Sequence, residues 1–134
     1  MKRTLVSLAV SAMMLGTVFG ASAARADQQV TWTGNGLDSL VLCVRGVSTP
    51  HLHWVLTPGG QPVDGTTAEL FVNGKDRGAM APVGNSGALQ LTIKVPAGLT
   101  IEKLEGESVY AVITSGSVGD NAVLTISDGC LCNY

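Results

Sequence analysis

Strict alternation of apolar and polar side chains is the feature that most narrows what this chain can become. In residues 89–95, Leu89, Leu91, Ile93 and Val95 are separated by Gln90, Thr92 and Lys94. A strand points successive side chains to opposite faces, so a period of two buries one face and wets the other. A helix of 3.6 residues per turn would scatter the same residues round its axis. Ala68, Leu70 and Val72 repeat the pattern against Glu69 and Phe71, as do Leu52, Trp54 and Leu56 against His51 and His53. Residues 109–113 and 123–127 read as strands apolar on both faces or nearly so. Residues 40–44 are a continuous apolar run, the composition of an interior strand, and residues 29–33 complete the set.

Turn signals separate these runs. Asn73-Gly74 follows Val72 directly, a hairpin pair in which both turn positions need positive φ. Residues 57–60, 83–87 and 115–121 are rich in Gly, Pro, Asn and Ser and punctuate the rest. Pro82 interrupts the strand after Asn73-Gly74, which predicts a short strand at a sheet edge. Only residues 101–104 suggest a helical turn. Seven or eight short strands with almost no helix predict an all-β chain, a single antiparallel β-sandwich.

Cys43 lies on the second predicted strand, and Trp54 follows eleven residues later on the third. In that spacing the chain resembles the immunoglobulin-like superfamily, in outline and over most of residues 27–134. The resemblance implies two packed antiparallel sheets. In that superfamily the tryptophan packs on an inter-sheet disulfide, whose second cysteine sits on the penultimate strand two residues after a tyrosine. Here Cys130 follows the last predicted strand, and Asp128 stands in the tyrosine's place. The resemblance therefore carries the sandwich, and neither the disulfide topology nor a binding role.

Residues 1–26 read as a secretory signal peptide: Lys2 and Arg3, an apolar stretch over 5–19, and the small-x-small site Ala24-Arg25-Ala26 before Asp27. A cut after Ala23 is an alternative. So is a retained anchor, since residues 5–24 are long enough to span a bilayer, although Ser7, Ser11, Gly16, Thr17, Gly20 and Ser22 dilute that stretch. The expected mature chain, residues 27–134, is one domain, extracellular or periplasmic, without stable membrane insertion after cleavage. Lys2, Arg3 and Arg25 leave with the leader, so five of the eight cations remain against all ten carboxylates, a formal charge of −5. Those five (Arg45, Lys75, Arg77, Lys94, Lys103) are scattered. Binding nucleic acid or an anionic membrane surface needs a clustered basic patch, so neither partner is expected.

Three cysteines remain: Cys43, Cys130 and Cys132. In an oxidising compartment they imply one disulfide and one leftover thiol. A Cys130–Cys132 bond would close a strained tight loop, so Cys43 is expected to pair with Cys130 or with Cys132. Either bond ties an early strand to the C-terminal tail, closing a loop of roughly 90 residues, worth about 4 kcal/mol by loop-closure entropy. The odd thiol offers a link to a second chain.

Few residues carry chemistry. His51-Leu52-His53 places two imidazoles on one strand face, where both can meet a single copper or zinc ion; the plainer alternative is a wet face that happens to carry histidines. Zinc takes three or four protein ligands, so Cys132 or a carboxylate would have to arrive through the fold. Cys130 and Cys132 with the histidines would form a two-sulfur, two-nitrogen set, in competition with the disulfide. Asp64-Gly65 and Gly119-Asp120-Asn121 are oxygen-rich, but no D-x-D-x-D spacing accompanies them. Gly116-Ser117-Val118-Gly119 lacks the first glycine of a nucleophile elbow. Glu102, Glu105 and Glu107 lie too close in sequence to flank a substrate. Phe71 faces outward if Ala68, Leu70 and Val72 face in, and Trp32 is the other aromatic expected to be exposed; both are candidate contact residues.

The expected function is that of a secreted, non-enzymatic β-sandwich, without a cofactor, that binds a protein partner or assembles with itself at or outside the cell surface. Edge strands and the leftover cysteine are the means. The alternative is an extracellular or periplasmic copper- or zinc-binding protein using His51 and His53.

Overall fold

A computed structural model of the chain describes residues 28–60 and 63–133; the expected leader, Asp27 and Tyr134 lie outside the described residues. Nine strands occur among the described residues. They are β1 (Gln29–Thr31), β2 (Leu40–Leu42), β3 (His51–Thr57), β4 (Thr67–Val72), β5 (Lys75–Ala79), β6 (Ala81–Pro82), β7 (Leu89–Lys94), β8 (Val109–Ser115) and β9 (Val123–Leu131). One sheet has the order β2-β9-β3-β7-β6 and the other β1-β8-β4-β5. The fold is the expected all-β sandwich. The helical turn is α1 (Ile101–Glu105), capped by Thr100, whose hydroxyl accepts the Lys103 N–H at 3.2 Å.

Alternation builds the core. Leu52, Trp54 and Leu56 of β3 point inward, as do Ala68 and Leu70 of β4, Val109, Ala111 and Ile113 of β8, and Leu124, Ile126 and Leu131 of β9. Each fully buried large apolar side chain contributes roughly 1.5–3 kcal/mol. Leu104 brings α1 into the same core. The Asn73-Gly74 hairpin forms between β4 and β5 with φ of 51° and 82°, and Asn73 is pinned further where its Oδ1 accepts the Ser108 N–H.

After that hairpin the chain changes sheets. β5 pairs with β4 at the edge of the four-stranded sheet, and the Met80 N–H donates to Ala68 O. Ala81 and Pro82 then pair with Gln90 and Leu89 at the edge of the other sheet. Pro82 thus sits on an edge, as its missing N–H requires.

Two expectations are corrected. Residues 40–44 do not make an interior strand: β2 lies at a sheet edge, parallel to β9, with Leu40, Val41 and Leu42 in register with Gly129, Cys130 and Leu131. An apolar run shows what a segment is made of, not whether neighbours cover it. Trp32 is not an exposed contact residue. It is 7 % exposed and meets Trp54 edge to face, ring centroids 5.3 Å apart, while its indole N–H donates to Asn35 O at 2.8 Å. The aromatic partner of Trp54 is therefore a second tryptophan.

Candidate functional site

On β3 the inward set Leu52, Trp54 and Leu56 leaves His51 and His53 on the outer face of the five-stranded sheet, as the alternation predicts. A bulge in β9 determines what stands beside them. Ile126 is opposite Trp54 and Asp128 opposite His53, so Ser127 is the extra residue and reverses the facing of the rest of the strand. Asp128 and Cys130 consequently share the face of the two histidines. His53 Nδ1 lies 3.3 Å from Asp128 Oδ2, and its Nε2 lies 2.8 Å from Gln90 Oε1 on β7. The ring thus stitches three adjacent strands together with both nitrogens engaged. His51 donates from Nδ1 to Thr49 O at 2.8 Å, with the Cys130 sulfur 3.8 Å away.

Cys43 pairs with Cys130, which resolves the two expected partners, and Cys132 is an exposed free thiol. The bond joins two neighbouring strands of one sheet: the Cys43 N–H donates to Leu131 O at 3.0 Å, extending the β2–β9 ladder. Cys130 is absorbed by this bond, so the thiolate half of a two-sulfur, two-nitrogen metal set is reduced to Cys132. Among the described residues, no three side chains of His, Cys, Asp or Glu gather where they could hold a metal ion.

The edge beside the disulfide is unusually apolar for a surface. Val41, Leu42, Val44 and Val47 are 59, 55, 58 and 81 % exposed. A turn carries the latter two, with the N–H groups of Val47 and Ser48 both donating to Val44 O, at 3.0 and 2.9 Å. Four large apolar side chains are exposed within seven residues along this edge, Val41 and Leu42 on opposite faces of the strand. Cys132 directly follows Leu131, which stands in register with Leu42 on this edge. Sequence reasoning missed the patch because it assigned the same apolar run to the interior.

On the other sheet Phe71 does face outward, half-buried and stacked on Tyr110 across the β4–β8 pair, with centroids 5.3 Å apart and ring planes 1° from parallel. Asp76 beside Glu69 on that face raises the Glu69 carboxyl above its ordinary value.

Sequence reasoning also missed a cavity of about 310 Å³ between the sheets. Trp54 lines it together with Lys75 and Arg77 of β5 and Glu107 after α1. Burial raises the Glu107 carboxyl above its ordinary range, and the positive charge of Arg77 opposes that shift. Lys75 and Arg77, alternating on the strand after the hairpin, were the available signal, but nothing local shows which end of the sandwich they reach.

The chain matches no family model, no curated protein and no solved structure. Among the described residues no helix is long and apolar enough to cross a membrane.

Proposed function

We propose that the protein is a secreted, non-enzymatic assembly module that pairs with a second copy of itself through the β2 edge, at or outside the cell surface. The exposed run Val41, Leu42, Val44 and Val47 on an edge strand carries this reading. Edge strands are surfaces on which another chain can add, and natural proteins usually blunt them with charge, whereas here Arg45 is the lone charged residue of the patch. A two-fold contact brings the same patch from each copy together, eight apolar side chains in all. Cross-strand packing covers part of what each still exposes, a gain of several kcal/mol against roughly 1.5–3 kcal/mol per fully buried side chain. That is comparable with the ~4–15 kcal/mol cost of association. The balance is a weak dimer that depends on concentration, and Cys132, close to the edge, is placed to make it permanent by a disulfide between copies.

Sedimentation equilibrium on Cys132→Ser tests this, because it isolates the non-covalent contact. The variant is expected to dimerise reversibly, and adding Val41→Lys and Val47→Lys to hold it monomeric at every concentration. A Cys132→Ser protein that stays monomeric near millimolar concentration, with an unreduced wild type that also forms no covalent dimer, would overturn the proposal.

A further inference from the structure

The cavity between the sheets combines apolar walls with a polar surplus of one kind. Leu52, Ile93 and Leu99 are buried in its lining, and Val72 and Val95 are half-buried. Its fourth buried wall residue, Trp54, is 0 % exposed, and its indole N–H meets no acceptor from the protein. Most buried donors in folded proteins are satisfied, so this one is an exception inside the core, sealed from water behind the cavity wall. Towards solvent stand Lys75, Arg77 and Glu107. Arg77 also donates to Lys94 O at 3.1 Å, tying β5 to β7 across the sandwich, and a guanidinium keeps further donors after that bond.

We propose that this cavity binds a compact apolar molecule bearing a carboxylate, its body against the apolar walls and its anionic group met by Lys75 and Arg77. At about 310 Å³ the space lies at the small end of ligand pockets, which run from ~300 to 1,000 Å³. That size admits a short acyl chain or a single ring. The charge balance selects the anion: two cations, Lys75 and Arg77, stand over one carboxylate, and that carboxylate already answers Arg77. A cationic ligand would have only Glu107 to pair with and two positive charges to oppose it. A neutral alcohol would leave the Lys75 charge unused.

Titration of the ¹⁵N-labelled full chain with octanoate, octanol and octylamine tests the assignment, read at the Trp54 indole N–H resonance, with Trp32→Phe to assign it. Octanoate is expected to shift that resonance saturably and more tightly than the other two probes. Lys75→Gln with Arg77→Gln should weaken octanoate binding about tenfold, ~1.4 kcal/mol, while leaving octanol unchanged. Arg77→Gln also removes a tie between sheets, so Lys75→Gln alone, on an exposed side chain, keeps the test available if the double variant loses its fold. The proposal is overturned if none of the three probes gives a saturable shift. It is overturned equally if octanol or octylamine binds as tightly as octanoate, or if the lysine variant binds octanoate like the wild type.

Discussion

Replacing Cys43 and Cys130 together by alanine removes the covalent tie between β2 and β9 and leaves Cys132 without an internal partner. The bond spans 87 residues. Closing a loop of that length in the unfolded chain removes about 15 cal/mol/K of entropy, equal to ~4.6 kcal/mol at 25 °C. A domain of ordinary stability has ~5–15 kcal/mol in all, so the loss is a third of it or more. Urea unfolding followed by far-UV circular dichroism reads the effect as a midpoint lowered by roughly 1.5–4.5 M, given slopes of ~1–3 kcal/mol per molar. The slope itself should steepen, because an unlinked unfolded chain expands and exposes more surface. A local signature should accompany the global one. β2 is held by three register pairs to β9, and the Cys43 N–H extends that ladder, so in native-state hydrogen exchange the amides of positions 41 and 43 should open first while β3 and β8 stay protected. A loss below about 1 kcal/mol with an unchanged slope would refute the loop-closure reasoning.

Three further outcomes are expected. Gly36→Ala should cost about 2–4 kcal/mol in thermal or chemical unfolding, because φ is +89° there and a Cβ would run into the Ile126 carbonyl oxygen; an unchanged midpoint would contradict the packing of that turn. Glu107→Gln should stabilise the protein at pH 7 by less than about 1 kcal/mol, solvent screening limiting the gain. Burial raises the Glu107 pKa, so the folded state holds that proton more tightly than the unfolded chain. Its contribution is present in full below pH 4.5 and lost as pH rises through the raised value, so the advantage of the variant should appear above pH 4.5 and vanish in acid. Phe71→Ala should cost about 1–2 kcal/mol by removing the stack on Tyr110 and leave the monomer–dimer balance of Cys132→Ser unmoved; a changed dimer constant would make Phe71 a contact residue after all.

The strands with one buried face were legible because their alternation is local: Leu89, Ile93, Leu52, Trp54 and Leu56 all point where their spacing says. The hairpin at Asn73-Gly74 was legible for the same reason, since the positive φ it needs is a property of those two residues. What could not be read was adjacency. Residues 40–44 look like core because Leu40, Val41 and Leu42 are apolar, yet only a sheet order decides that β2 has β9 on one side and an edge on the other. Trp32 failed similarly, its burial depending on Trp54, twenty-two residues away. The histidine face was visible from i, i+2 spacing, but its neighbours Asp128 and Gln90 come from other strands, one of them shifted by a bulge that no local pattern announces.

The position of β9 has a consequence in time. It lies inside its sheet, between β2 and β3, and carries Leu124, Ile126 and Leu131 into the core. Its pairing partners, Leu40–Leu42 and His51–Thr57, lie far earlier in the chain. A chain emerging from a ribosome therefore has β2 detached from the rest of that sheet until β9 arrives. Until then β2 has nothing to pair with and Cys43 has no Cys130 to meet. Pairings within β3, β7 and β6 and within the other sheet need nothing from β9, so the β2 edge and its disulfide are the part of the fold that must form last.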